Sequence, residues 1–371
     1  MKIQERFEAN LYKGPGFDRI RLIAATIVVL HHCSIYLYPD ISNDYLFRYS
    51  RGFIQFGRLA VDIFFALSGF LVAPRLVLTG DAVTFTVHRA LRIMPALAVS
   101  VFLAMLVTGP LLTTHTLWQY FTDPQTYRYA RNLVFLTTNT LPGVVKADGG
   151  AISVNGALWT LSFEVLCYAS LVIMSILGIL AKRSWTIAVF ATAYAMNALL
   201  WYVPSLRAAI PDRIETFVSL FVYFSCGACI YRLADIISWS ARAAAAAAIA
   251  IAVGLPCGAG ALVMPICVPY LVIYVGLSHL LGRAPFVNDY SYGIYVFHAQ
   301  LVTFMLIMFP GVRNFFIAAP LIMAGALAIA ILSWTFVEAP SLRSKKWLSS
   351  RVRKNVEWIG LMPHKRSLDS S

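Results

Sequence analysis

The chain reads as continuous apolar runs of about 20 residues, broken by short polar connections. The runs do not alternate apolar with polar, which excludes barrel strands and predicts helices. Ten such segments are expected, at residues 20–38, 54–73, 93–113, 157–180, 185–203, 215–232, 243–259, 262–281, 290–309 and 315–336. The expected fold class is an all-α integral membrane protein of about ten transmembrane helices with both termini on one side. Residues 1–340 read as one membrane domain. Residues 341–371 read as a short basic tail with no extra domain.

Composition agrees with a lipid-facing surface. Hydrophobic residues make up 59% of the chain and charged residues 13%, against about a quarter charged in soluble domains. Residues 1–16 are polar and include Lys2, Arg6 and Lys13. The first apolar run lacks a small-residue cleavage site, so it reads as a permanent span and not a signal peptide. With ten spans, the side carrying the termini holds lysines and arginines by more than two to one. That side is therefore expected to be cytoplasmic. The net charge of +13 then reflects orientation and anionic lipid, not nucleic acid. Cys226 and Cys229 form a C-x-x-C without a second cysteine or histidine pair. They read as small buried side chains, and no metal site is expected. The segment 114–156, rich in Thr, Tyr, Asn and Gly, is a candidate cover over a polar substrate. No internal repeat is present, which counts against a transporter of duplicated halves.

Ionisable residues inside spans are costly and point to function. Arg21 and His32 lie eleven residues apart, about three helical turns, and so share one face some 16 Å apart along the axis. Arg21 is expected at the cytoplasmic mouth and His32 at depth, where a histidine suits proton transfer near neutrality. Asp62 lies one turn after Arg58, its expected partner, and Ser68 follows among aromatics. Arg89 and Arg92, an i, i+3 pair, present two guanidinium forks suited to phosphate. Glu164 is a second acid within a span. Ser291, Tyr295 and His298 fall on one helix face and are expected to line a cavity. Glu338, in the Glu338-Ala339-Pro340 sequence, reads as the end of the last helix and as architecture. For each of these a structural ion pair or interhelical hydrogen bond is the competing reading.

In order, these motifs resemble the acyltransferase 3 family of membrane acyltransferases, from about Phe17 to Pro340. The resembling stretches are residues 18–32 (D-x-x-R…H), 61–70 (V-D-x-F-F-x-L-S-G-F), 89–95 (R-x-x-R-I-x-P), 159–164 (W-T-L-x-x-E), 291–298 (S-Y-x-I-Y-x-x-H) and 338–340 (E-x-P). Arg19 and Ala60 stand where the family usually has glycine, and His88 where it often has arginine. The resemblance implies a ten-helix fold in a bacterial cytoplasmic (inner) membrane. It implies transfer of an acyl group, commonly acetyl, from cytosolic acyl-CoA to a hydroxyl of a surface polysaccharide or lipid-linked glycan. Acyl-CoA (acetyl-CoA) is then a co-substrate, and no bound cofactor is expected. Some members carry an additional esterase domain, which this chain is expected to lack.

On that reading Arg21, Arg89 and Arg92 hold the phosphates of CoA. His32 is the general base or a transient acyl carrier, oriented by Asp62 or Glu164. The expected partners are acyl-CoA, the glycan acceptor and the bilayer. Three alternatives stand beside it. One is a proton-coupled transporter or flippase of glycan precursors using the same buried groups. Another is a structural component of a glycan-export complex. The third is an acyltransferase acting on a small-molecule acceptor.

Overall fold

A computed structural model describes residues 1–10, 12, 14–146, 149–282 and 288–358, without the side chains of 354–358. Lys13, Arg283 and residues 359–371 of the basic tail lie outside the described residues. Ten long helices follow in order: α1 Phe17–Leu37, α2 Phe56–Thr79, α3 Ala82–Leu112, α4 Trp159–Ile176, α5 Arg183–Tyr202, α6 Asp212–Arg232, α7 Ala241–Gly254, α8 Gly260–Gly276, α9 Ser291–Met308 and α10 Phe315–Arg343. Among the described residues seven of these, α1–α4, α6, α9 and α10, are long and apolar enough to cross a membrane. Helices α5, α7 and α8 occupy the other three segments where spans are expected; α7 and α8 are shorter. A final helix, α11 Lys345–Trp358, lies in the basic tail. Pairing outside helices is limited, among the described residues, to the isolated bridges Lys2↔Ser238 and Val145↔Ala151.

Two helix limits depart from the hydropathy reading, each for a local reason. Helix α3 begins at Ala82, not near 93, because Asp81 caps it by accepting from Thr84 N at 3.0 Å. This Asp81 follows Gly80, whose left-handed φ of 62° ends α2. Arg89 and Arg92 therefore stand within a rigid helix and not in a connection. Helix α10 does not stop at Pro340. A wide π turn over Trp334–Glu338 precedes a last helical stretch, Ala339–Arg343. Pro340 falls in that stretch's first turn, where a missing N–H costs little. A second π turn, Ala104–Thr108, lies in α3. There the buried Tyr120 donates its hydroxyl hydrogen to Met105 O at 2.9 Å. The described residues of 114–156 thus pack against the bundle, with Tyr120 and Tyr129 fully buried.

Glycines set the closest helix approach. A Cβ on Gly69 of α2 would strike Phe224 O of α6, and one on Gly227 of α6 would strike Ala66 O of α2. Small residues permit such backbone contact, the main source of helix association in lipid. Gly227→Val will therefore force α2 and α6 apart, costing about 1–3 kcal/mol or more. A lowered unfolding temperature in detergent is expected; an unchanged one would contradict this packing.

Candidate active site

Helices α1 and α9 run side by side in the same direction. Arg21 near the start of α1 reaches Asp289, just before α9 (Nη1–Oδ2 3.8 Å), and His32 further along α1 reaches His298 of α9 (Nδ1–Nε2 3.1 Å). The shared face read for Arg21 and His32 is thus the face toward α9. Asp289 also takes Arg92 of α3 at 2.6 Å, while Arg92 Nη1 lies 3.4 Å from Glu338 of α10. Arg21 holds Asp18 at 2.8 Å. Both the N–H and the hydroxyl of Ser291 donate to Asp289 Oδ1. Burial alone would raise the Asp289 carboxyl, but Arg92, Arg21 and Ser291 outweigh it and hold the group below the usual carboxylate range.

Arg21, Arg92, Asp289 and Ser291 open onto a cavity of about 370 Å³. Its charged lining is Arg21, Arg89, Arg92 and Lys345 against Glu164 and Asp289. Four cations face two carboxylates, so the cavity favours an anion. The arginines are not equivalent. Carboxylates pair with Arg21 and Arg92. Arg89 has no ion pair among the described residues, and its buried Nε has no hydrogen-bond partner. It stacks over Tyr168, its Cζ 6.0 Å from the ring centroid. Lys345 of α11 stands at the same cavity; burial, then Arg89 and Arg92, push its ammonium below the usual lysine value.

Further along the cavity, Tyr168 donates to Glu164 Oε1 and its hydroxyl lies 3.5 Å from Ser68 Oγ. The hydroxyls of Thr160 and Tyr295 are hydrogen-bonded, and Tyr295 also donates to Ala157 O at 3.2 Å. Tyr295 meets Phe64 edge to face, with centroids 5.8 Å apart, and also contacts the His298 ring, with centroids 5.9 Å apart.

The expected site residues divide accordingly. Arg21, Arg89, Arg92, Glu164, Ser68, Ser291 and Tyr295 line one cavity. His298, expected to line it, does not: it is fully buried against His32. His32 is also absent from the lining and sits half-buried behind Tyr295, stacked on Tyr36. Asp62 lies elsewhere. Arg58 Nε donates to its Oδ1 at 2.8 Å, and Arg58 also holds Ser219 at 2.9 Å. This pair lines a separate cavity with Trp201, Arg207 and Glu215. Among the described residues neither Asp62 nor Glu164 hydrogen-bonds His32; His298 does. His31, one residue away, turns to Asp44 at 3.5 Å. Tyr168, Asp289 and Lys345 are among the cavity residues beyond the expected site candidates. Tyr168 was legible as the i+4 neighbour of Glu164, and Asp289 as an acid beside a helix start. Nothing in the pattern marks Lys345, because only tertiary packing brings α11 against α3.

An apolar multi-helix bundle whose cavity holds more cations than carboxylates, with a histidine pair packed beside it, has the architecture of a multi-pass membrane protein. The pattern of the acyltransferase domain family matches residues 15–335, and the chain belongs to that family: it is a multi-pass membrane acyltransferase. It is 28% identical over 362 residues to Nodulation protein 10 of Rhizobium leguminosarum bv. viciae, covering 91% of this chain and 95% of that one. It is 26% identical over 346 residues to an O-acetyl transferase of Shigella phage Sf6, covering 88% and 96%. No solved structure matches the chain.

The cavity's charge has a direct test. Pyrophosphate should raise the unfolding temperature of the purified protein, and Arg89→Ala should abolish that rise. An equal rise in both proteins would mean that the anion binds elsewhere.

Proposed function

We propose that the protein transfers an acyl group, acetyl, from cytosolic acyl-CoA to a hydroxyl of a bacterial surface polysaccharide or its lipid-linked precursor, in the cytoplasmic membrane. The carrying observation is Arg89: a guanidinium with a buried, unpartnered Nε in a cavity where cations outnumber carboxylates. A buried donor without an acceptor is costly, and a phosphate oxygen supplies one. Arg89 and Lys345 are the primary phosphate ligands on this reading. Arg21 and Arg92, already neutralised in part, orient the remainder.

The pantetheine arm lies between α2 and α4, past Ser68, Tyr168 and Glu164. Its acyl end meets Phe64 and Tyr295, and those two rings must part to expose the thioester to His32. His32 takes the proton of the acceptor hydroxyl as the oxygen attacks the thioester carbonyl. Collapse of the tetrahedral intermediate breaks the C–S bond, and the thiolate leaves with that proton as CoA. Transient acylation of His32 is the variant of this scheme.

Several features support a ten-crossing arrangement with both termini cytoplasmic. Arg183 at the start of α5 pairs with Asp235 just after α6, at 2.7 Å, and Tyr202 at its far end donates to Gly258 O. Arg6, in a short helix Ile3–Ala9 ahead of α1, donates to Leu277 O, just past the end of α8. The name of the phage relative, an O-acetyl transferase, supports an oxygen nucleophile and an acetyl group.

Purified protein in proteoliposomes with labelled acetyl-CoA and a panel of methyl hexosides tests the reading. His32→Ala should lose at least about a hundredfold in turnover with folding intact. Retained turnover in a folded His32→Ala protein would sink the mechanism. The lowered Lys345 value sets a further expectation. As pH rises through it, the ammonium loses its charge and KM for acetyl-CoA should climb. Lys345→Arg, whose charge persists, should flatten that climb; an unchanged KM profile in the variant would remove Lys345 from donor binding.

A further inference from the structure

The scheme above leaves His298 without a task, yet its hydrogen bonds admit one proton assignment. His298 Nδ1 lies 2.7 Å from Tyr295 O and 3.2 Å from Ile294 O. A lone pair aimed at two carbonyl oxygens would be repelled, so Nδ1 carries the hydrogen and donates. In the neutral ring, Nε2 then holds the lone pair. That lone pair sits 3.1 Å from Nδ1 of His32. His32 Nδ1 is also 3.0 Å from Val28 O, a second acceptor. It is therefore the N–H nitrogen of its ring, shared between the two. The reverse assignment, with His298 Nε2 donating, would set lone pairs against three carbonyl oxygens. His32 Nε2 is left bare, with no hydrogen-bond partner among the described residues.

We infer that His298 is a positioning residue: it holds His32 in the tautomer whose Nε2 accepts the acceptor's proton, and it spreads the charge formed there. The inference rests on the acyltransferase reading and deepens it. When the acceptor O–H proton moves to His32 Nε2, His32 becomes an imidazolium. Its Nδ1–H already points at the lone pair of His298 Nε2, which stabilises the new charge. The Tyr295 and Ile294 carbonyls polarise His298 in turn. As the C–S bond breaks, the Nε2 proton passes to the CoA sulfur and both rings return to their starting state. A carboxylate orients the histidine of a Ser-His-Asp triad in the same way. At bilayer depth a neutral imidazole does so without the cost of an unpaired buried anion.

The partner's identity makes this testable. His298→Leu keeps bulk and removes the acceptor atom; His298→Gln keeps an amide oxygen near the position of Nε2. Thiol release from acetyl-CoA with methyl hexosides should show kcat about a hundredfold lower in the Leu variant, KM for acetyl-CoA unchanged, and most of the loss recovered by Gln. A folded Leu variant with kcat within about threefold of wild type overturns the inference, as do equal losses in Leu and Gln. Nitrogen-15 NMR of the wild-type protein needs no variant to fold. It should show His32 protonated at Nδ1 and bare at Nε2, and a proton on Nε2 would overturn the inference. If the wild type turns over no acetyl-CoA, the acyltransferase reading fails, while the NMR result still decides the tautomer.

Discussion

Asp289 joins three helices at the mouth of the charged cavity. Arg92 of α3 and Arg21 of α1 both converge on its carboxylate, and Ser291 at the start of α9 holds its other oxygen. Through Arg92 the same cluster reaches Glu338 at the end of the wide turn of α10. In a low-dielectric bundle each of these charges is expensive alone. Together they fix how four helices meet, and that register carries Arg21 and His32 to opposite ends of one α1–α9 seam. The seam sets both the mouth that favours anions and the histidine pair beyond Tyr295.

Cations and carboxylates are distributed unevenly for a reason visible in the packing. Where a cation has a structural task it has a carboxylate, as Arg58 has Asp62 and Arg92 has Asp289. Arg89 has aromatic contact with Tyr168 but no carboxylate at ion-pair distance among the described residues. An arginine in that condition can gain an acceptor from an entering anion, whereas Arg92 in the same cavity is already paired. Charged groups, hydroxyls and aromatics share the cavity lining, and the histidine pair lies outside that lining, with His298 in ring contact with Tyr295.

Much of this was legible beforehand. Long continuous apolar runs can be satisfied only by helices in lipid, so the fold class followed from hydropathy alone. Helical periodicity placed Arg21 with His32, and it placed Ser291 and Tyr295 on one face. It also placed His298 there, wrongly as a cavity residue, because periodicity names a face without naming what covers it. Asp62 lies away from His32 for a related reason. Sequence proximity identified Arg58 as its partner, but the side of α2 on which the pair lies depends on α6. The Glu338–Pro340 helix stop was misjudged because a π turn leaves no mark in hydrophobic spacing.

The sequence on its own established an all-α membrane protein, its charged residues and their order along each helix. These depend on local spacing and on transfer into lipid, both properties of short stretches. Tertiary structure alone decided that, among the described residues, Arg89 has no carboxylate at ion-pair distance, Lys345 joins the cavity and His298, not an acid, hydrogen-bonds His32. Each is a contact between side chains far apart in the chain, such as His32 with His298 or Arg92 with Asp289. Such contacts are set by how helices rotate and tilt against one another, which the spacing within any one helix does not specify.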